Sequence, residues 1–131
     1  MHVLQILDQA FRTTVEEQDE TIFWLMQSML KKSIGDPENA IELLLTGNAV
    51  YYALQKLKQP KLKLGEWHQS QPADIHTDIK KLVDKGVSIM VVYEDLWDRG
   101  LEKLPLPEGV DLINRQALPQ VFERADQVWH W

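Results

Sequence analysis

Short apolar runs alternate with amphipathic stretches along this chain. The run "HVLQIL" (His2 to Leu7) has strand length and ends at Asp8. Its apolar residues do not alternate cleanly with polar ones, which suits a strand covered on both faces, as in a parallel sheet. "TTVEEQDETIFWLMQSML" predicts a helix. Thr13 with Glu16, or Thr14 with Glu17, has capping-box spacing. Glu16, Glu17, Asp19 and Glu20 fall in the first turns, where negative charge suits the helix dipole. Ile22, Met26, Met29 and Leu30 follow at near-helical spacing, Lys31 and Lys32 sit at the far end, and "SIGDPEN" breaks the pattern.

A second strand is expected at "AIELLL" (Ala40 to Leu45). After "TGN", a helix is expected over "AVYYALQKL", with Val50, Ala53, Leu54 and Leu57 on one face and Asn48 as its N-cap. "KQPKLKLGEWHQSQP" has no clear period and is expected to be a long loop. "ADIHTDIKKLVDKG" is the cleanest helix: Pro72 suits its start, Ile75, Ile79, Leu82 and Val83 line one side, and Gly86 stops it. "VSIMVVY" is a β-branched third strand and "EDLWDRGL" a short helix. "GVDLI" is a fourth strand, and "LPQVFERAD" a last helix with Pro119 in its first turn. "QVWHW" has the length of a short fifth strand.

Strands alternating with helices predict a parallel sheet with helices on both faces, joined by right-handed crossovers. With 131 residues, the chain is expected to form a single domain over 1–131. In such a sheet ligands gather at the carboxyl ends of the strands. Four stretches fall there: Asp8-Gln9, Thr46-Gly47-Asn48, Tyr93-Glu94-Asp95 and Asn114-Arg115. Each has a plain structural use. Gly47 supplies a tight turn. Glu94 and Asp95 are acids in the first turn of a short helix, and they would form an acid/base pair only if burial raised one pKa. Thr-Gly-Asn lacks the glycine spacing and lysine of a phosphate loop.

Composition narrows the chemistry. There are 14 basic and 20 acidic side chains, a net charge of −6, which does not favour nucleic acid or an anionic membrane. No apolar run approaches the length of a membrane span, and the N-terminus lacks the basic flank and cleavage site of a signal peptide, so a soluble cytoplasmic protein is expected. The chain has no cysteine, which excludes disulfides, thiolate metal sites and cysteine nucleophiles. His2, His68, His76 and His130 show no ligand spacing, so no metal and no cofactor are expected. Ser28, Ser33, Ser70 and Ser88 have no nucleophile-elbow context. Five tryptophans are many for this length. Trp67 in the long loop, Trp97, and Trp129 and Trp131 flanking His130 are candidates for a subunit interface, where large aromatics anchor partners; Trp24 also falls off its helix's apolar stripe.

"VYEDLWDRGL" and "EGVDLINR…VFERADQVWHW" together resemble the DsrE/DsrF/DsrH (TusB/TusC/TusD) family of small α/β proteins. The DsrH/TusB branch carries a comparable segment after its third strand, matched here by Glu94, Asp95, Leu96, Arg99, Gly100 and Leu101, and it ends in a tryptophan, here Trp131. "EEQDETIFWL" and "LLLTGNAVYYAL" are similar to DsrE-like proteins more generally. The resemblance implies a three-layer α/β/α domain with a mostly parallel sheet of about five strands. It implies trimeric or hexameric assembly and work in sulfur relay, where a reactive cysteine near the end of the third strand passes a persulfide. That cysteine would stand near Val92 or Tyr93, and this chain has none there or elsewhere.

The resemblance therefore implies a non-catalytic subunit that acts by protein interaction. Its partners would be copies of itself, a cysteine-bearing paralogue or a small sulfur-carrier protein. In the short helix, Arg99 is expected to reach back to Asp95 at i, i+4, a pairing of about 0.3 kcal/mol, and Gly100 to turn the chain outward. Two other readings stay open. The strand-end cleft, with Gly47, Asn48, Tyr93, Glu94, Asp95, Arg99 and Arg115, would suit a small molecule or nucleotide. A hydrolase or lyase would use Glu94 or Asp95 as a base.

Overall fold

The computed structural model describes residues 1–13, 17–32 and 40–131 and, at Lys31 and Lys32, the backbone alone. The strands are β1 (His2–Leu7), β2 (Ala40–Leu45), β3 (Lys63–Leu64), β4 (Trp67–His68), β5 (Ser88–Val92), β6 (Val110–Ile113) and β7 (Gln127–His130). The helices are α1 (Gln18–Lys32), α2 (Ile75–Asp84), α3 (Tyr93–Trp97) and α4 (Leu118–Glu123). Two 3₁₀ segments, Gly47–Ala53 and Arg115–Ala117, precede loops or helices.

Five strands form one sheet in the order β6-β5-β2-β1-β7, and all four pairings are parallel. Within β2 and β5, alternate residues enter opposite cores. Leu43, Leu45, Ile89 and Val91 join a large cluster with Ile22, Phe23 and Met26 of α1 and Ile75, Ile79 and Leu82 of α2. Leu4, Ile6, Leu44, Met90 and Val92 face a smaller cluster closed by Val121 of α4. Burial on both sides explains the mostly apolar runs of β1 and β2, broken only by the buried Gln5 and Glu42. The chain steps from β1 to β2, β5 and β6 over the first face. It then reverses direction to reach β7, and crossovers of constant hand place the returning α4 on the opposite face. The result is the three-layer α/β/α sandwich.

Helix ends follow local chemistry. Asp74 caps α2, accepting from the Thr77 backbone N–H at 3.1 Å and its hydroxyl at 2.7 Å. The cap is thus Asp74, and Pro72 lies outside the helix. Gly86, at φ +83°, closes α2: its N–H donates to Val83 O at 2.9 Å and the Val87 N–H to Leu82 O at 3.0 Å. Gly100, at φ +68°, closes α3 identically through Trp97 O and Leu96 O. These paired bonds satisfy the last helical carbonyls and need a left-handed residue.

Two expectations differ, and one falls outside the described residues. The capping boxes at Thr13 to Glu17 and the "SIGDPEN" break involve residues outside those described. The segment after β2 is a 3₁₀ helix that ends at Ala53, and Leu54 is already extended. Its cap position is Thr46, without a side-chain bond, so Asn48 is not its N-cap. The stretch taken as a long loop contains an antiparallel hairpin, β3–β4, with Leu64 opposite Trp67. Among the described residues no helix is long and apolar enough to cross a membrane.

Candidate functional site

A parallel sheet delivers every strand's carboxyl end to one edge, and here the ends of β1, β2, β5 and β6 are knitted together. β2 leaves its ladder with the Thr46 N–H donating to Leu7 O at 3.0 Å and the Asn48 N–H to Asp8 O at 3.1 Å. The turn between them needs Gly47: its φ is +52°, and a Cβ there would lie 3.0 Å from the Asp8 carbonyl oxygen. This packs the start of the 3₁₀ segment directly against the end of β1.

Asp95 joins three strand ends. Its Oδ2 accepts from the Gly47 N–H at 2.9 Å and its Oδ1 from Arg115 Nη2 at 2.9 Å. Glu94 takes the Arg115 backbone N–H with both carboxylate oxygens, at 2.8 and 2.9 Å. Arg99 donates through Nε and Nη2 to Asn48 Oδ1 at 3.1 and 2.9 Å, and through Nη1 to the Asp95 carbonyl at 3.0 Å. The expected i, i+4 ion pair from Arg99 to Asp95 is therefore replaced. The Asp95 carboxylate is taken by Gly47 and Arg115, and Arg99 turns to Asn48, whose amide serves this contact instead of a helix cap. Tyr93 opens α3, half-buried, with its ring centroid 6.3 Å from that of Trp97.

Six of the seven strand-end candidates are thus bonded into one network, with Tyr93 beside it in the chain. It is made mostly of charge-assisted bonds, the stronger class of hydrogen bond. The two carboxylates serve as acceptors for backbone N–H groups and a guanidinium. That use fixes strand ends relative to one another and differs from the free acid/base pair a hydrolase would need. The guanidinium of Arg115 stays 55% exposed.

A second contact at this edge was not singled out from sequence. His130 Nε2 lies 2.8 Å from Asp8 Oδ2, beside β1, where the strand order reverses. Only the pairing of β7 with β1 brings these residues together, so no local spacing announces them. Nearby, the β1–α1 loop is held by a buried carboxylate, also unforeseen. Asp19 is fully buried; it accepts from Arg12 Nε at 2.8 Å, from the Arg12 backbone N–H at 3.1 Å, and from the Tyr52 hydroxyl. The Tyr52 oxygen in turn accepts from the Phe11 N–H at 2.6 Å. Burial, then the bond to Asp19, raises the Tyr52 hydroxyl well above the ordinary tyrosine pKa. At the other end of the sheet, Glu42 is buried against Arg124, which donates with Nε and Nη2 at 2.8 to 3.2 Å. This pairing raises the Arg124 pKa further.

The tryptophans divide. Trp97 is 60% exposed, Trp67 55% and Trp24 65%. Trp129 and Trp131 are half-buried and stack edge-to-face at 6.3 Å. Trp131 packs on the larger core and donates Nε1–H to Gln5 Oε1 at 2.7 Å, so it also closes the sheet edge. Among the described residues, no group of three or more His, Asp or Glu side chains is placed to hold a metal ion.

No protein-family model and no curated protein matches the chain. Solved structures do. The YchN protein of E. coli is 19% identical over 100% of both chains, with a TM-score of 0.69. A protein of unknown function from Methanobacterium thermoautotrophicum is 17% identical, covering 98% of this chain and 97% of its own, with a TM-score of 0.62. At such identities the likeness is one of architecture, and the chain shares the three-layer α/β/α fold of these two proteins.

Proposed function

We propose that this protein is a non-catalytic, DsrE/DsrH-like interaction subunit associated with sulfur relay. It acts by assembly with copies of itself, as a trimer or hexamer, or with a cysteine-bearing paralogue or small sulfur-carrier protein in the cytoplasm. The observation that carries this reading is the strand-end network. Where the resemblance implies a persulfide-bearing cysteine, β5 runs straight from Val92 into α3. The charged groups there, Glu94, Asp95, Arg99 and Arg115, are bonded to the protein's own backbone and side chains. A chain without cysteine has no thiolate to accept sulfur. Beside the network stands Trp97, open to solvent, as an interface anchor would be before assembly.

The test is native mass by size-exclusion chromatography with light scattering, alone and after co-expression with a cysteine-bearing paralogue. A trimer, a hexamer or a stable mixed complex supports the proposal. A monomer at high micromolar concentration that binds neither paralogue nor sulfur carrier defeats it. A second reading, a small-molecule site, is favoured by the His130–Asp8 pair and the exposed Arg115 on the same edge. It predicts a ligand that raises the melting temperature of the wild type more than that of Arg115→Ala.

A further inference from the structure

Charge is unevenly placed on the face that carries α1 and α2. In a chain of net charge −6, residues 54–65 contain four lysines, Lys56, Lys58, Lys61 and Lys63, and no carboxylate. Among the described residues none of these lysines forms an ion pair. The segment leads into the β3–β4 hairpin, in which all six residues from 63 to 68 are exposed. Leu64 and Trp67, paired across the hairpin, are 65% and 55% exposed. A two-stranded hairpin without a packed face is marginal in water, so this one has an apolar side to cover.

Three residues beyond the hairpin, Gln71 lines a cleft of about 500 Å³ between α1 and α2. Its walls carry Glu17, Glu20 and Asp78, with the exposed Trp24 on its rim. Lys81 also lines the cleft, so three carboxylates face one lysine and the cleft stays net acidic; burial, then Glu17 and Asp78, raise the Glu20 pKa.

We propose that the hairpin of one copy, together with the lysine-bearing segment 56–63 that leads into it, docks against the acidic, Trp24-rimmed cleft of a second copy, and the second copy's hairpin and segment against the first's cleft. Because the two patches adjoin on one molecule and are opposite in sign, a two-fold axis satisfies both contacts at once. The lysines of that segment neutralise the crowded carboxylates, and the Leu64 and Trp67 side chains gain a partner in Trp24. This rests on the association proposed above and names its surface. A two-fold contact yields even-numbered assemblies, a dimer or a hexamer.

The experiment is sedimentation velocity on four samples: wild type, Lys61→Glu/Lys63→Glu, Glu17→Lys/Glu20→Lys, and an equimolar mixture of the two variants. Lys61, Lys63 and Glu17 are exposed and Glu20 is half-buried, and circular dichroism verifies folding. The wild type should sediment as an even-numbered species that weakens with added salt. Each variant alone should dissociate at least about tenfold more readily, and mixing should restore association through one wild-type contact and one charge-swapped contact. Trp67→Ala should weaken association without salt dependence of its own. If both charge-reversed variants keep the wild-type mass, or the wild type is a trimer only, this contact is overturned while the association reading stands. A monomeric wild type overturns both.

Discussion

Removing the Asp95 carboxylate tests whether the strand-end network holds the sheet's edge together. Asp95→Ala deletes two contacts of unequal worth. The bond from the Gly47 N–H is partly buried and charge-assisted, worth about 1.5–3 kcal/mol, and its loss strands a backbone donor. The bond from Arg115 Nη2 ends on a guanidinium that is half in water, so solvent screening leaves it about 0.2–1 kcal/mol. The expected loss is about 2–3 kcal/mol. Asp95→Asn keeps a side-chain oxygen for Gly47 and should lose about 1 kcal/mol. Arg115→Ala keeps its backbone bond to Glu94 and should lose less than about 1 kcal/mol. Urea unfolding followed by tryptophan fluorescence measures all three. Protein concentration must be fixed, since any assembly couples stability to it. With a slope of about 1.5 kcal/mol per molar, Asp95→Ala should move the midpoint by about 1–2 M. The double variant should show a coupling below about 1 kcal/mol. If Asp95→Ala lies within about 0.5 kcal/mol of wild type, or if Arg115→Ala is the costlier change, the ranking of the two contacts is wrong.

Other outcomes follow from the same geometry. Tyr52→Phe leaves the buried Asp19 oxygen and the Phe11 N–H without the hydroxyl between them, and should cost about 2–3 kcal/mol in denaturant titrations. Gly47→Ala forces a left-handed Ala with its Cβ 3.0 Å from a carbonyl oxygen, and should lower stability by about 1–3 kcal/mol and the melting temperature with it. Asp74→Ala removes the α2 cap at a cost of about 1 kcal/mol at neutral pH. Its bonds to Thr77 lower the Asp74 pKa below 3.8, so the folded state binds this proton less tightly than the unfolded one. The stabilisation is therefore full above the ordinary aspartate range and lost as pH falls through the depressed value. Wild type and variant should converge in stability below that point, and a difference that persists undiminished in acid would contradict the assignment.

The five strands of the main sheet and α2 were legible because their signals are local. Apolar runs of strand length mark β1, β2 and β5, and Gly86 and Gly100 stop their helices where a left-handed residue was expected. Charge partners were not legible where two local rules compete with a tertiary one. Asn48 has the chemistry of a cap, yet its amide oxygen goes to Arg99, 51 residues away. The i, i+4 rule offers Arg99 to Asp95 for about 0.3 kcal/mol. A partly buried backbone N–H from Gly47 and a guanidinium from beyond β6 outweigh that. The β3–β4 hairpin had a signal that went unused: a two-residue Gly65-Glu66 turn, with Gly65 at φ +59°, between β-prone residues. The Asp19–Tyr52–Arg12 triad had none, because an aromatic inside an apolar run does not announce that its hydroxyl is bonded.

The strand order carries a consequence for synthesis. β7 is translated more than a hundred residues after β1, the strand it pairs with from Val3–Gln127 to Ile6–His130. Until His130 leaves the ribosome, one flank of β1 lacks its neighbour, and β1 itself is almost wholly apolar. An unpaired apolar flank is a template for a strand from another chain. Nascent molecules are thus prone to cross-pairing until β7 has emerged, and a chain cut short of Gln127 should aggregate even though its large core is already encoded.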